Sequence, residues 1–477
     1  MTVIPPLFQV LFQVLFRVHH VCTDVQEIIL DKAYGKEILS ANDICHILGV
    51  EDIDEIFKIR EENPRFGEIL FKSVKKLYFS KSKLPEKKLL KLISFFPKLE
   101  SLDLSYTKVA DASALGGVHT LYLSHCINIR DVSALGSVHT LNLSNTKVAD
   151  ASALRGVHTL NLSRTYVTDV SLIGGVYEVD LSHCINITDV SSLENVHTMN
   201  LTRCINVTDV SSLGNVHNMN LTRCINVTDV SSLGEVHDLN VGGCRNITDV
   251  STLGNVHTLN LRGCNITDVS DLGGVHTLDL IYTKVTDVST LGNVHTIYLS
   301  FCTNITDVSS LGNVHTLNLR GCNITDVSSL TGVHTLDLSY CTNIIDVSSL
   351  GGVYEVDLSH CINITDVSTL GNVHSMNLTR SINVTDVSTL GNVHNLNLGG
   401  CENVTDVSCL TGVHTLDLSF CTNIIDVSSL GNVHTLNLSY TKVADVSCLT
   451  GVHTLDLRHC TNIEDVSTLG GVHTLTL

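Results

Sequence analysis

From Val118 onward one phrase, V-H-T-L-x-L-S-x-C-x-N-I-T-D-V-S-x-L-G-x, returns every 19 or 20 residues. Its second position falls at His119, His139, His158, Tyr177, His197 and so on to His473, 19 times in all. A degenerate copy precedes these at Leu99-Glu100-Ser101-Leu102-Asp103-Leu104. So short a period leaves few folds open. One copy cannot bury its own apolar edge, so each must be covered by the next, and the chain must stack. The copies vary in length at one place only, where Cys-Ile-Asn-Ile becomes Thr-Lys-Val or Cys-Asn-Ile. A one-residue change at a turn leaves the rest of a stacked coil in register.

Within a copy, Val118, Leu121 and Leu123 alternate with Thr120, Tyr122 and Ser124, the period-two pattern of a short strand with one face inward. Cys126 and Ile129 bring the chain inward again. Thr-Asp opens a tight or short helical turn, Val132 and Leu135 close the core, and Gly136 is expected to supply the bend back. Stacked copies share a core and a parallel sheet, which makes the array a solenoid.

The frame L-x-x-L-x-L-x-x-C/N-x-(x)-I/V over residues 99–477 resembles the leucine-rich-repeat family. The Cys form followed by Ile-Thr-Asp resembles its cysteine-containing subclass, and Ile-Thr-Asp-Val-Ser-x-Leu resembles internalin-type repeats. Near-identical strings such as VHTLNLS and NITDVSSLG also resemble arrays encoded by giant DNA viruses of protists. The resemblance implies an α/β repeat solenoid: a parallel β-sheet on the concave face, and a convex face that copies this short fill with turns or 3-10 pieces. A parallel β-helix is the alternative fold. The expected organisation is a helical N-terminal segment over 1–97 and an array of about 20 coils over 98–477. A longer period lies on top: Tyr177–Cys184 recurs as Tyr354–Cys361, 177 residues or nine coils later. Blocks of coils were duplicated together, which extends a surface rather than assembling a catalytic centre.

Residues 1–97 follow another rule. Leu7, Leu11 and Leu15 with Phe8, Phe12 and Phe16 recur at helical spacing, and Asp43–Leu48, Asp52–Arg60 and Lys87–Phe96 read as further helices, the last stopped by Pro97. The segment Val50–Tyr78 resembles the second half of an F-box. That resemblance implies docking to a ubiquitin-ligase adaptor; the plainer reading is a helical cap over the first coil.

Charge is unevenly spread. Residues 1–98 hold 15 Lys and Arg against 13 Asp and Glu, leaving 14 against 35, about -21, for the array. Such an array repels phosphate backbones, so nucleic acid is not an expected partner. The 17 cysteines are odd in number and recur once per coil rather than in disulfide-like pairs. Leu7–Phe16 has no basic region before it, no small-residue cleavage site after it, and is too short to span a bilayer. Asn-x-Ser/Thr triplets such as Asn186-Ile187-Thr188 would be densely glycosylated on export. A reducing, cytoplasmic setting is expected, in the host-cell cytoplasm if the gene is viral, with no membrane partner.

Three files of reactive side chains invite chemistry. Histidine fills the second repeat position in 17 of its 24 occurrences, and coils roughly 4.8 Å apart would stack the rings. A metal file or pH sensor is one reading. Rings that stack and bond a neighbouring loop is the other, because a metal site needs convergent ligands of fixed number. Either way stability should fall below about pH 6. The cysteine file (Cys126, Cys184, Cys204, Cys224, Cys244, Cys264, Cys302, Cys322, Cys341, Cys361, Cys401, Cys421, Cys460) contains no Cys-x-x-Cys. Thr107, Thr146, Thr165, Thr283 and Thr441 and Ser381 take the same place, so the position wants a small weak donor bonded to loop backbone. The aspartate file (Asp131, Asp150, Asp169, Asp189 and onward) lacks the partners of an acid–base pair or a calcium nonapeptide, and fits turn-opening carboxylates. No nucleophile elbow, phosphate loop or paired-histidine helix occurs. No catalytic residue, metal site or cofactor is assigned, and the protein is not expected to be an enzyme.

Outward strand positions are monotonous. The position just after the strand is not: Tyr106, His125, Asn145, Arg164, His183, Arg203, Arg223, Gly243, Gly263, Tyr282, Phe301, Gly321, Tyr340, His360, Arg380, Gly400, Phe420, Tyr440, His459. Variation confined to one exposed place and rich in Tyr, Phe, Arg and His is what a recognition edge shows, although drift at a tolerant loop gives the same pattern. Tyr282, Phe301, Tyr340, Phe420 and Tyr440, with Arg203, Arg223 and Arg380, are the expected contacts. The strand that ends at Leu477 lacks a polar cap, which predicts self-association there. Three functions follow: a protein-binding module using the concave face and adjacent edge, an F-box-like substrate receptor for ubiquitin ligation, or a structural component of a particle.

Overall fold

The computed structural model describes residues 39–40 and 74–477. The helices expected at Leu7–Phe16, Asp43–Leu48 and Asp52–Arg60, and most of the F-box-like segment, lie outside the described residues. The chain divides into two compact units, Met1–Cys224 and Ile225–Leu477.

In the first unit the described strands are β1 (Leu39–Ser40), β2 (Lys76–Tyr78), β3 (Ser101–Asp103), β4 (Thr120–Tyr122), β5 (Thr140–Asn142), β6 (Thr159–Asn161), β7 (Glu178–Asp180), β8 (Thr198–Asn200) and β9 (Asn218–Asn220). Each pairs in parallel with the next, in register: Leu77 faces Leu102, Leu102 faces Leu121, and Met199 faces Met219. The second unit repeats this from β10 (Asp238–Asn240) to β22 (Thr474–Thr476). Short 3-10 helices such as Ser211–Asn215, Ser309–Asn313 and Ser348–Gly352 stand at the returning turns. This is the leucine-rich-repeat solenoid: a parallel sheet on one face, and 3-10 pieces and turns on the other.

The sheet runs back past the legible repeat frame, through β2 to β1. In Lys75-Lys76-Leu77-Tyr78-Phe79-Ser80, Leu77 and Phe79 fill the two inward positions that Leu121 and Leu123 fill later, and all four are buried. Between β2 and β3 lies α1 (Glu86–Ile93), whose Leu89, Leu92 and Ile93 are buried. It ends earlier than the expected Phe96. The Ser94 amide closes the last turn on the Leu90 carbonyl, and Phe95 and Phe96 leave the helix to enter the core.

Inward residues follow the sequence. Val118, Leu121, Leu123, Cys126, Ile129, Val132 and Leu135 are all buried, and burying one Leu or Val side chain is worth roughly 1.5–3 kcal/mol. Gly136 has another role than the one expected. Its backbone is not among the left-handed residues. A Cβ there would stand 2.2 Å from the Ala153 carbonyl oxygen, so glycine is required by the approach of the next coil.

Candidate functional site

Three side-chain files run beside the core, and the structure assigns each a local task. Cys126 is buried and its Sγ donates to the Leu104 carbonyl at 3.1 Å, which belongs to the coil before. Thr146 at the same place donates instead to Leu143 of its own coil, at 2.6 Å. At Thr165 and Cys184, on successive coils, the two types share one acceptor: the Leu162 carbonyl takes Thr165 Oγ1 at 2.6 Å and Cys184 Sγ at 3.0 Å. Ser381 behaves as a cysteine does, donating to Leu358 at 2.7 Å. The small donor was expected; its acceptor is mostly the preceding coil, so the file stitches coils together. Burial pushes the Cys341 thiol up to about 11 and Cys401 up to about 12. Thiolate chemistry is thereby suppressed.

The aspartates open turns as expected. Asp131 Oδ1 accepts the Ser133 N–H at 2.9 Å, Asp189 that of Ser191 at 2.9 Å and Asp268 that of Ser270 at 2.9 Å. These amide bonds, with help from the serine side chains, hold the three carboxyls below the usual range.

The histidines stack. His119 and His139 lie 4.5 Å apart between ring centroids, His295 and His315 4.6 Å, and Tyr177 takes its turn between His158 and His197 at 4.8 and 4.6 Å. The expected bond to a neighbouring loop is absent from these rings. Nδ1 meets the next residue's hydroxyl instead, as in His139 with Thr140 at 3.3 Å and His315 with Thr316 at 3.2 Å. Desolvation first, then the neighbouring rings, lowers the pKa of His139, His315 and His414.

The fourth file is the edge. Each of the 19 positions singled out by their variability, from Tyr106 to His459, has a left-handed backbone. At 15 of them the residue is not glycine and φ lies between +57° and +61°, while Gly243, Gly263, Gly321 and Gly400 hold the other four. The turn is built by the strand's last residue. Asn200 Oδ1 accepts the Thr202 N–H at 3.0 Å, Arg203 follows at φ +61°, and the Arg203 N–H donates to the Thr222 carbonyl at 2.8 Å. The strand-end Asn and Asp residues are thus turn formers as well as a polar ladder. A non-glycine residue in this conformation costs about 1–2 kcal/mol.

Side chains on this edge differ between the units. In the first, Arg164, Arg203 and Arg223 are exposed. His183 stands between two of them, with its Nε2 3.5 Å from an Arg164 nitrogen. Burial, then Arg164 and Arg203, lowers the His183 pKa. In the second unit the edge is aromatic and stacked: Tyr282 on Phe301 at 5.0 Å, Tyr340 on His360 at 4.2 Å, Phe420 on Tyr440 at 4.4 Å, and Tyr440 on His459 at 4.3 Å. Gly321 interrupts the ladder. A Cβ there would lie 2.7 Å from the Phe301 ring, and the Arg320 guanidinium covers the gap, 6.0 Å from the Phe301 ring centre and 4.4 Å from that of Tyr340. Arg262 stands 5.5 Å from Tyr282. Of the eight contacts read from the sequence, Arg203 and Arg223 therefore belong to the first unit. Tyr282, Phe301, Tyr340, Arg380, Phe420 and Tyr440 belong to the second, where the aromatic five form two stacked pairs plus Tyr340, which stacks on His360. Arg262 and Arg320 were missed, because they sit one residue before the variable position, where most coils carry Ser or Thr.

The fold is that of the leucine-rich-repeat solenoids. No family model matches the sequence, and none of the curated proteins does. Among solved structures, TLR13 in complex with ssRNA13 is similar at 18% identity and a TM-score of 0.50, over 88% of this chain and 72% of that one. InlJ from Listeria monocytogenes, whose functional domain includes a cysteine ladder, is 20% identical over 75% of this chain and 73% of its own, with a TM-score of 0.44. An internalin (inlF) from the same organism is 17% identical over 83% and 89%, with a TM-score of 0.34. No helix among the described residues is long and apolar enough to cross a membrane.

Proposed function

We propose that the protein is a non-catalytic binding module that holds a protein partner through the sheet face and the adjacent left-handed edge. One observation carries this reading. At 15 coils a bulky, polar or charged side chain is kept at φ near +60°, where glycine would relieve about 1–2 kcal/mol per coil and is already tolerated at four positions. Drift at a tolerant loop favours glycine or asparagine at such a conformation, whereas Tyr, Phe and Arg predominate here. These are the side chains that supply interface anchors. In the second unit the rings are also fixed by stacking, so little freedom is lost when a partner docks.

The test compares partners captured by the full chain with those captured by a variant in which Tyr282, Phe301, Tyr340, Phe420 and Tyr440 are all glycine. A control carries Ser310, Ser329 and Ser349, on the turn face, as alanine. Specific, saturable partners should be lost from the edge variant and kept by the control. Retention by both overturns the edge as the binding surface.

A further inference from the structure

We propose that His237, Asp238 and His257 form a binding site for one divalent transition-metal ion of the zinc class. Nineteen coils hold the second-position residue, and in 17 of them it is histidine. Of those 17, all but one are followed by Thr, Asn or Ser; the exception is His237, which is followed by Asp238. The two other carboxylates at this strand position, Glu178 and Glu355, follow Tyr177 and Tyr354 instead. Imidazole beside carboxylate thus occurs once along the file, in an array that otherwise copies itself almost without change.

The geometry suits a metal. His237 Nδ1 lies 3.2 Å from Asp238 Oδ1. Two ligands bound at about 2.0–2.1 Å in a tetrahedral shell stand roughly 3.3–3.4 Å apart, so this pair already has the separation that one ion requires. The third ligand is the stacked neighbour: the rings of His237 and His257 lie 4.7 Å apart and 13° from parallel. One ligand atom from each of the three residues lies within 4.8 Å of the others. Bringing His257 into the shell requires its exposed ring to turn out of the stack, because near-parallel imidazoles aim their lone pairs side by side rather than at one point. Stacked histidines elsewhere in the file lack an anionic third ligand, and an endless row fixes no ligand number. Asp238 supplies both. Two imidazoles and a carboxylate suit zinc and its first-row neighbours rather than calcium or magnesium. Solvent completes the shell, so the site is open.

The repeats provide substitutions that keep the fold. Thr occupies the Asp238 position in most coils, and Tyr occupies the His257 position at Tyr177 and Tyr354, where it stacks as histidine does. Full-length protein stripped with a chelator would be titrated with zinc chloride by calorimetry, and with cobalt(II) followed by its visible absorption. The expected result is one tight equivalent per chain, weakened at least tenfold in both Asp238→Thr and His257→Tyr, with unchanged circular dichroism. Several equivalents bound alike by wild type and Asp238→Thr would show that the histidine file binds metal without a defined site, and would overturn the proposal. Absence of binding to the wild type would overturn it equally.

Discussion

The edges of the two units share one backbone and differ in chemistry. Arg203 and Tyr282 both follow a strand, both have φ close to +60° and both donate their N–H to the next coil. Around Arg203 the edge is cationic, with Arg164, His183 and Arg223. Around Tyr282 it is a ladder of rings topped by arginines. The difference teaches that the left-handed turn is a fixed platform which carries Tyr, Phe, Arg, His, Asn or Gly on one backbone, so the residue's identity can vary for recognition. Around Tyr282 the backbone strain is offset locally by ring stacks that contribute about 0.5–1.5 kcal/mol each, as it is in the first unit where Tyr106 stacks on His125 at 4.2 Å, whereas the exposed Arg203 makes no such stack.

Partner binding should show the contrast most strongly. Replacing the five aromatic residues by glycine is expected to weaken partner affinity by about 100-fold or more, on the scale of interface hot spots. Changing Arg164, Arg203 and Arg223 to glycine should act mainly on association rate and its salt dependence. Surface plasmon resonance at two ionic strengths separates the two, and a large salt-independent loss from the arginine triple variant would erase the distinction.

Acid should weaken both units alike. The folded-state pKa of His139, with His119 and His158 on either side, is lowered, as are those of His315 and His414 between their own neighbours. The unfolded chain therefore binds protons first. The stability that neutral rings contribute is complete above about pH 6.5 and is lost as pH falls below it. A second decline is expected below about pH 4, when the depressed carboxyls of the aspartate file protonate. Thermal midpoints from pH 8 to pH 3 would reveal both steps, and a flat curve between pH 7 and 5 would contradict the first.

Strain relief gives a smaller and opposite pair of effects. Arg203→Gly removes an αL penalty of about 1–2 kcal/mol against about 0.4–1 kcal/mol of added chain entropy, so it should leave the protein equally or slightly more stable. Tyr282→Gly gains the same relief but loses the Phe301 stack and the Arg262 contact. It should end about 1–2 kcal/mol below Arg203→Gly. Chemical denaturation of the two variants decides whether stacking offsets strain, and equal midpoints would show that it does not.

The smallest expected effect is at His183. Arg203→Gly removes one of the two cations that lower its pKa, so that pKa should rise toward the ordinary histidine value. In the second unit Arg380→Gly should do the same at His360, which Arg380 and Arg320 hold down after burial. NMR titration of the two rings reads this directly, and unmoved pKa values would mean that burial alone sets them.

The period, the inward residues and the parallel sheet were legible in the sequence, because a coil of 19 or 20 residues repeated this often has one way to cover its apolar positions. The variable edge was legible too, as variation against a constant frame. Its backbone was not. Nothing in Tyr282 or Arg203 announces a positive φ. The signal was indirect, four glycines at the same register (Gly243, Gly263, Gly321, Gly400) together with Asn or Asp three residues earlier. What only the tertiary structure decided follows from contacts between coils: the acceptor of each cysteine, the carbonyl that forces glycine at Gly136, the sheet strand at Lys76–Tyr78 where the repeat frame has decayed, and the approach of His257 to His237 and Asp238. A sequence states what each coil offers. The 4.2–5.0 Å spacing of stacked rings decides which neighbour receives it.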